Sequence, residues 1–285
     1  MPAKKNIVVT YDELDYWHNQ LGWSLKEIGN NLGCSVSNVS KLMKKLGVPH
    51  RPAGGSQEYP RYNFSGNPLE QAYLIGFRTG DLYVHLTTDG NNCQTVAVES
   101  SSTKPEQIAL IRQLFEPYGH VYTVTRRSRN TETGIKCYLN LTFDFLLPKP
   151  DRVPIWIMEN NACFWAFLAG YIDAEGHIGI DRSQACPQAR LQIISCDIGI
   201  LNDLQAGLVA QGVHCPPVRL HLRKGMPTGK RRYCIRHNSY RLSVNSKAAL
   251  NRLFEQIEPY LKHDKRRTDM MTAWENIRSR GLSQD

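Results

Sequence analysis

The chain has 285 residues, a formal net charge of +9 and an isoelectric point near 9.1, which suits one large domain with a small appendage and an anionic partner. Its eight cysteines include no C-x-x-C pair and no tight Cys/His cluster, so neither a zinc site nor a disulfide framework is indicated. No apolar run approaches membrane-spanning length and Met1-Pro2-Ala3-Lys4-Lys5 lacks a secretory apolar core, so the expectation is an intracellular, non-secreted protein of cytoplasm, nucleoid or organelle matrix without a membrane partner.

The first sixty residues read as three short helices. Thr10-Tyr11-Asp12-Glu13 and Ser24-Leu25-Lys26-Glu27 are capping boxes, and Ser35 caps a third helix. Leu14, Trp17 and Leu21 form the first apolar stripe, Leu25, Ile28 and Leu32 the second, and Val39, Leu42, Met43 and Leu46 the third, with Gly33 and Gly47 as stops. Helix, glycine-containing turn, helix is the helix-turn-helix pattern, which would put Val36, Ser37, Asn38, Ser40 and Lys41 where base edges are met. Lys44, Lys45, His50 and Arg51 then suit phosphates. A plain three-helix structural module fits the same pattern. Gly54-Gly55-Ser56 and Pro60 read as a linker.

Pro68 opens a longer helix containing Tyr73-Leu74-Ile75-Gly76-Phe77-Arg78-Thr79-Gly80-Asp81, which hands over near Asp81 to a strand running to Thr88. A second strand follows to Glu99, then a helix capped by Thr103 with Ile108, Ile111, Leu114 and Phe115 inward. A third strand, His120 to Thr125, meets an arginine-rich hairpin, Arg126, Arg127 and Arg129. The fourth is expected to place Lys136, Tyr138, Asn140 and Thr142 on one face, and Cys137, Leu139, Leu141 and Phe143 on the other. An antiparallel sheet covered on one side leaves a polar face free, and a two-stranded ribbon fits the major groove.

After Leu147-Pro148-Lys149-Pro150 the order of elements recurs. Phe167-Leu168-Ala169-Gly170-Tyr171-Ile172-Asp173-Ala174-Glu175-Gly176 reads as a helix closing at a left-handed Gly176, followed directly by a strand to Arg182 paired with Arg190 to Ser195. A helix with Ile200, Leu201, Leu204 and Leu208 precedes a strand expected to turn Val218, Leu220 and Leu222 inward and Arg219, His221 and Arg223 outward. Lys230, Arg231 and Arg232 sit in the next hairpin, Arg241, Ser243 and Asn245 on the next strand, and two helices close the chain around Tyr260-Leu261-Lys262-His263-Asp264-Lys265.

The two apolar helices are copies. Leu74 matches Leu168, Gly76 matches Gly170 and Asp81 matches Glu175, and each carries small residues four apart, Gly76 with Gly80 and Gly170 with Ala174. Two such faces can nest backbone against backbone, bringing Asp81 and Glu175 together. A carboxylate in the last helical turn faces the negative end of the macrodipole, and two meeting at close range repel unless a proton or a cation sits between them.

The paired segments resemble the signature helices of the LAGLIDADG homing endonucleases in their single-chain, two-repeat form, over roughly residues 60 to 280. Leu82 stands where the family's closing glycine is usual, so the first helix exit needs another backbone solution. The resemblance implies an α+β fold with two pseudo-symmetric αββαββα repeats, residues 60–150 and 151–285, forming a saddle of antiparallel sheets. A small all-α helix-turn-helix domain over residues 1–59 resembles modules that accompany some of these enzymes. It implies a monomer that hydrolyses both strands of a long double-stranded DNA site, leaving short 3′ overhangs, with Asp81 and Glu175 holding Mg²⁺, for which Ca²⁺ or Mn²⁺ substitutes. Either Lys262 or Lys265 would lie near the metal site, with Lys149 in the comparable place of the first repeat. Arg126, Arg127, Arg129, Lys136, Tyr138, Asn140, Arg190, Arg219, His221, Arg223, Lys230, Arg231, Arg232 and Arg241, with Ser37, Asn38, Lys41 and Lys44 of the small domain, are the expected DNA contacts. Asp173, off the matched position, is expected to make a structural hydrogen bond. The alternative is a catalytically silent DNA-binding regulator or RNA maturase on the same fold.

Overall fold

Capping chemistry opens the helices of the N-terminal unit. In a computed structural model describing residues 7–21, 23–49, 59–88, 94–127, 131–183, 186–228 and 233–281, two compact units are present: Met1–Pro60 with Thr87–Thr95, and Arg61–Leu86 with Val96–Asp285. Thr10 with Glu13 and Ser24 with Glu27 close capping boxes ahead of α1 (Tyr11–Asp15) and α2 (Leu25–Leu32), and Ser35 Oγ accepts the Asn38 amide ahead of α3 (Val36–Leu46). Gly33 and Gly47 stop α2 and α3 at φ 66° and 73°, left-handed positions where a side chain is strained. Leu14, Ile28, Val39, Met43 and Val48 form a core of their own. Leu21 departs from the expected stripe and is 48% exposed, because α1 runs into a π-helical turn, Tyr16–Gln20, that changes the angular spacing. Trp17 instead stacks on Trp23 at 6.0 Å.

From Pro68 onward the chain repeats one plan. The first half contains α4 (Pro68–Asp81), β1 (Tyr83–Thr88), β2 (Gln94–Ser102), α5 (Pro105–Phe115), β3 (Val121–Arg127) and β4 (Thr131–Leu139). After a short helix, α6 (Ile155–Met158), the second half contains α7 (Asn161–Glu175), β5 (Gly176–Asp181), β6 (Gln188–Ser195), α8 (Ile198–Ala210), β7 (Arg219–Leu222), the hairpin β8 (Pro227–Thr228) and β9 (Tyr233–Cys234), and β10 (Ser239–Val244). Helices α9 (Lys247–Ile257) and α10 (Asp264–Ser279) follow. The sheet orders β1-β2-β4-β3 and β5-β6-β10-β7 are the same arrangement, and the described pairings are antiparallel, for instance Val98 opposite Cys137 and Leu191 opposite Val244. One continuous apolar core runs through both halves, from Leu74 and Phe77 to Phe167, Leu168, Leu204 and Phe254. The fold is thus α+β with two matching repeats. No helix among the described residues is long and apolar enough to cross a membrane.

Several expected details are corrected. The fourth strand stops at Leu139 and a 3-10 helix, Leu141–Leu146, follows; the Leu141/Phe143 alternation that imitated a strand leaves Leu141 44% exposed. Thr103 does not cap α5, whose N-cap is Lys104 without a side-chain bond. Leu220, expected inward, is 45% exposed on β7, the edge strand of its sheet. Gly176 is not left-handed: its φ is −74° and ψ 153°. Leu82, at φ −107° and ψ 138°, exits in the same extended region, so the first repeat needs no special backbone solution.

Candidate active site

Helices α4 and α7 nest so closely that glycine is required at the crossing. A Cβ added to Gly76 would collide with the Phe167 carbonyl oxygen, and one on Gly170 with that of Tyr73. Further along, a Cβ on Gly80 would stand 2.5 Å from the Ala174 Cβ and 2.8 Å from Glu175 Cγ, so the Glu175 side chain lies against the turn that ends at Asp81. The seam therefore delivers the last residues of both helices to one place. At the exits the halves differ. Ile172 packs against Gly176, whereas its counterpart Arg78 is buried and donates from Nη1 to the Leu82 carbonyl at 2.7 Å and from Nε to that of Leu146 at 3.0 Å. The guanidinium ties the first exit to the neighbouring 3-10 helix.

A cleft of about 120 Å³ opens there, lined by Asp81, Ser102, Lys104, Gln107, Ala174, His263, Lys265 and Arg266. Gln107 donates from Nε2 to Asp81 Oδ2. Burial pushes the Asp81 carboxyl above its ordinary range, against the Gln107 hydrogen bond and the Lys104 charge. Glu175 is exposed as a residue, yet its carboxyl is pushed up to about 7, first by burial among protein atoms and then by the negative charges of Asp81 and Asp197, while Lys149 and Arg266 oppose the shift. The Asp81 charge thus disfavours the ionised form of Glu175 across the nested helices.

The basic segments cross between halves. Lys149, which ends the first repeat, acts on Glu175 and pairs with Asp197 at 3.0 Å, whereas Lys265 and Arg266, near the end of the second, line the cleft with Asp81. Lys265 also pairs with Asp269 at 2.6 Å. Lys262 is not part of this cleft: its Nζ sits 4.4 Å from the centroid of the Tyr73 ring, eight residues and about 12 Å up the helix from Asp81. Its backbone matters instead. Asp173, fully buried, accepts at Oδ2 from Tyr73 Oη at 2.6 Å, from the Lys262 amide at 2.8 Å and from the His263 amide at 3.2 Å, anchoring the crossing segment to α7. The cleft also holds groups that sequence reasoning passed over, Lys104, Gln107 and Arg266, with Asp197 beside Glu175. Arg266 is the most suggestive, because its guanidinium is largely buried with Nε unpartnered and its nearest carboxylate, Asp269, at 3.9 Å.

No group of three or more His, Cys, Asp or Glu side chains able to hold a metal occurs among the described residues. Asp81 and Glu175 alone are nevertheless the hard-oxygen set that Mg²⁺ accepts when phosphate oxygens and water complete its sphere.

On the sheets, Lys136 and Tyr138 lie opposite the buried Ile135, Cys137 and Leu139, with Lys136 bonded to Glu99 at 2.7 Å and 4.9 Å from the Tyr138 ring centroid. Arg190, opposite Ala189 and Leu191, pairs with Asp181 at 2.7 Å. Arg241 is the register partner of Arg219, and Arg219, His221 and Arg223 are exposed. Asn140 is a correction: it leaves the sheet and donates to Asn63 Oδ1 at 2.9 Å, fastening the incoming segment. Ser37, Asn38, Lys41 and Lys44 are exposed on α3. His50, Arg51, Arg129, Lys230, Arg231, Arg232 and the side chains of Arg126 and Arg127 lie outside the described residues.

The class defined is a two-repeat α+β protein whose paired helices end in acids, Asp81 in a cleft otherwise largely basic and Glu175 against the turn before it. Among solved structures it is similar to homing endonucleases: I-DmoI in complex with DNA and Ca (17% identity, TM-score 0.46, 72% of this chain and 98% of that one) and the LAGLIDADG homing endonuclease I-LtrWI bound to target DNA (12%, 0.46, 75% and 92%). The meganuclease I-SmaMI bound to uncleaveable DNA is similar at 10% identity and TM-score 0.45, over 75% of this chain and 89% of that one. No family model and no curated protein matches the sequence.

Proposed function

We propose that this chain is a site-specific DNA endonuclease of the LAGLIDADG homing type, a monomer that hydrolyses both strands of a long duplex with divalent metal ions held by Asp81 and Glu175. The observation that carries the reading is the seam at Gly76 and Gly170, which sets Glu175 Cγ against the Gly80 turn of α4 while Asp81, one residue on, lines a cleft with Lys104, Lys265 and Arg266. Two acids so placed weaken a fold, because a carboxylate nearby raises the cost of ionising the other, and that is intelligible where a cation and a polyanion complete the site.

In hydrolysis the oxygen of a water adds to phosphorus, the bond from phosphorus to one sugar oxygen breaks, and that oxygen takes up a proton while the water's surplus proton passes to solvent. Bound Mg²⁺ supplies an acidified water and charge stabilisation at the phosphate oxygens. Gln107 holds the Asp81 carboxylate in a fixed orientation. Arg266, whose nearest carboxylate is at 3.9 Å, and Lys104 are the cations positioned to receive a phosphate, and neither is needed as nucleophile. The outward residues of β4, β6, β7 and β10 would meet the duplex along its grooves, and α3 would extend the contact.

The test is a supercoiled plasmid library carrying randomised inserts, incubated with the protein in Mg²⁺ or in EDTA. Linear product recovered from one insert in Mg²⁺ only, and lost with Asp81→Asn although the same insert is still bound, is the expected result. Binding without cutting by the parent protein in Mg²⁺ and in Mn²⁺ would overturn it.

A further inference from the structure

The two repeats are built on one plan but carry opposite charges at one equivalent position near their acids. Lys104 is the N-cap residue of α5 and Asp197 the N-cap residue of α8, each two residues beyond the matching serines Ser102 and Ser195. An N-cap aspartate ordinarily accepts from the first turn of its helix, yet Asp197 makes no such bond. Its Oδ2 faces Lys149 Nζ at 3.0 Å and Ser195 Oγ at 3.1 Å. A second difference falls three residues into each helix. Gln107, which holds Asp81, has as its counterpart Ile200, fully buried and without a polar group, so Glu175 lacks an equivalent amide. The Asp81 half therefore has Lys104, in no ion pair among the described residues, beside one held carboxylate, whereas the Glu175 half has two carboxylates around Lys149, a lysine already bound to one of them; Lys265 is paired with Asp269, and Arg266 acts on Glu175 as well as lining the cleft with Asp81.

We propose that the halves act in order, because Asp197 holds Lys149 in an ion pair and keeps it from the phosphate at Glu175: the strand at the Asp81 half is cut first, and a nicked duplex precedes the double-strand break. The inference rests on the nuclease reading. Asp197 is on this account a positioning residue that acts through Lys149. Lys104 is free to meet a phosphate at the first half, whereas Lys149 is held by Asp197 at 3.0 Å at the second.

The experiment uses the full chain and the duplex that it recovers from the randomised library, placed in a supercoiled plasmid and also as a linear fragment end-labelled on either strand. Nicked circle should accumulate before linear product, with one strand cut faster than the other. Asp197→Asn should raise the ratio of second-cut to first-cut rate several-fold, and adding Lys149→Met to that variant should remove the gain, which a general loosening of the fold would not do. Glu175→Gln should leave a protein that nicks the same strand that is cut first by the parent. A parent that cuts no DNA defeats the nuclease reading itself. Equal rates on both strands leave that reading standing and overturn the order. The order also fails if Asp197→Asn leaves the ratio unchanged or lowers it, as it would were Asp197 itself holding a cation, or if the gain survives Lys149→Met.

Discussion

At the scale of single residues, Asp173 illustrates how a carboxylate beside a functional one is spent on architecture. Three donors converge on its Oδ2, while Oδ1 is buried without a hydrogen-bond partner. Burial pushes its pKa up to about 6, and the Tyr73 hydroxyl and the two amides only partly offset that. A folded pKa above the unfolded one means that the native state binds the extra proton, so the stabilisation is full below about pH 4 and is lost as pH rises through about 6. Asp173→Asn keeps an acceptor for the same three donors and removes the titration. Measured by urea unfolding in EDTA, the stability of this variant relative to the parent should improve by about 3 kcal/mol between pH 4 and pH 7.5. A difference independent of pH would refute the assignment. Asp173→Ala, which strands three donors, should destabilise by about 2–5 kcal/mol at either pH. That Asp173 is structural was legible in the sequence because it misses the position matched by Asp81; its tie to Lys262 and His263 was not, since no local pattern predicts a contact across some ninety residues.

At the scale of elements, the seam between α4 and α7 was the most readable feature, and its helix ends were the least. Small residues four apart announce a face, and the structure places Gly76 and Gly170 backbone to backbone. Gly176 shows the limit of reading glycine as a left-handed cap. Here its backbone is ordinary and it is needed because a Cβ would crowd Ile172, at 2.7 Å from the carbonyl oxygen. In the first repeat the same place tolerates Leu82, with Arg78 holding the exit from the side. Lys104, Gln107 and Arg266 went unread for a related reason, since they become neighbours only when α5 and the start of α10 converge on the cleft. The seam can be tested directly. Gly76→Ala should force the helices apart and cost about 1–3 kcal/mol or more in a urea titration, as overpacked cores do, whereas Gly134→Ala, whose nearest neighbour would be the Val124 carbonyl oxygen at 3.6 Å, should fall well below that range. Comparable losses at both glycines would mean that the nesting is looser than described.

At the scale of the whole molecule, the separate core of the N-terminal unit and the basic balance of the chain converge on one expectation about DNA. Leu14, Ile28, Val39, Met43 and Val48 hold α2 and α3 in place without help from the larger core, so exposed residues of α3 can be changed with little penalty to folding. Lys41 and Lys44 are exposed on that helix. Each phosphate that a lysine neutralises releases counterions, and the logarithm of affinity then falls with the logarithm of salt at a slope of about −0.9 per contact. Replacing both lysines with alanine should therefore weaken binding of the recovered duplex and flatten the slope by about 2, while the cleavage rate at saturating protein stays within the parent's range, because the cleft residues belong to the other unit. Fluorescence anisotropy across a salt series checks the slope, and single-turnover cutting checks the rate. An unchanged slope would assign the N-terminal unit a purely structural role, and a fall in single-turnover rate at saturation would mean that α3 acts on the chemical step itself.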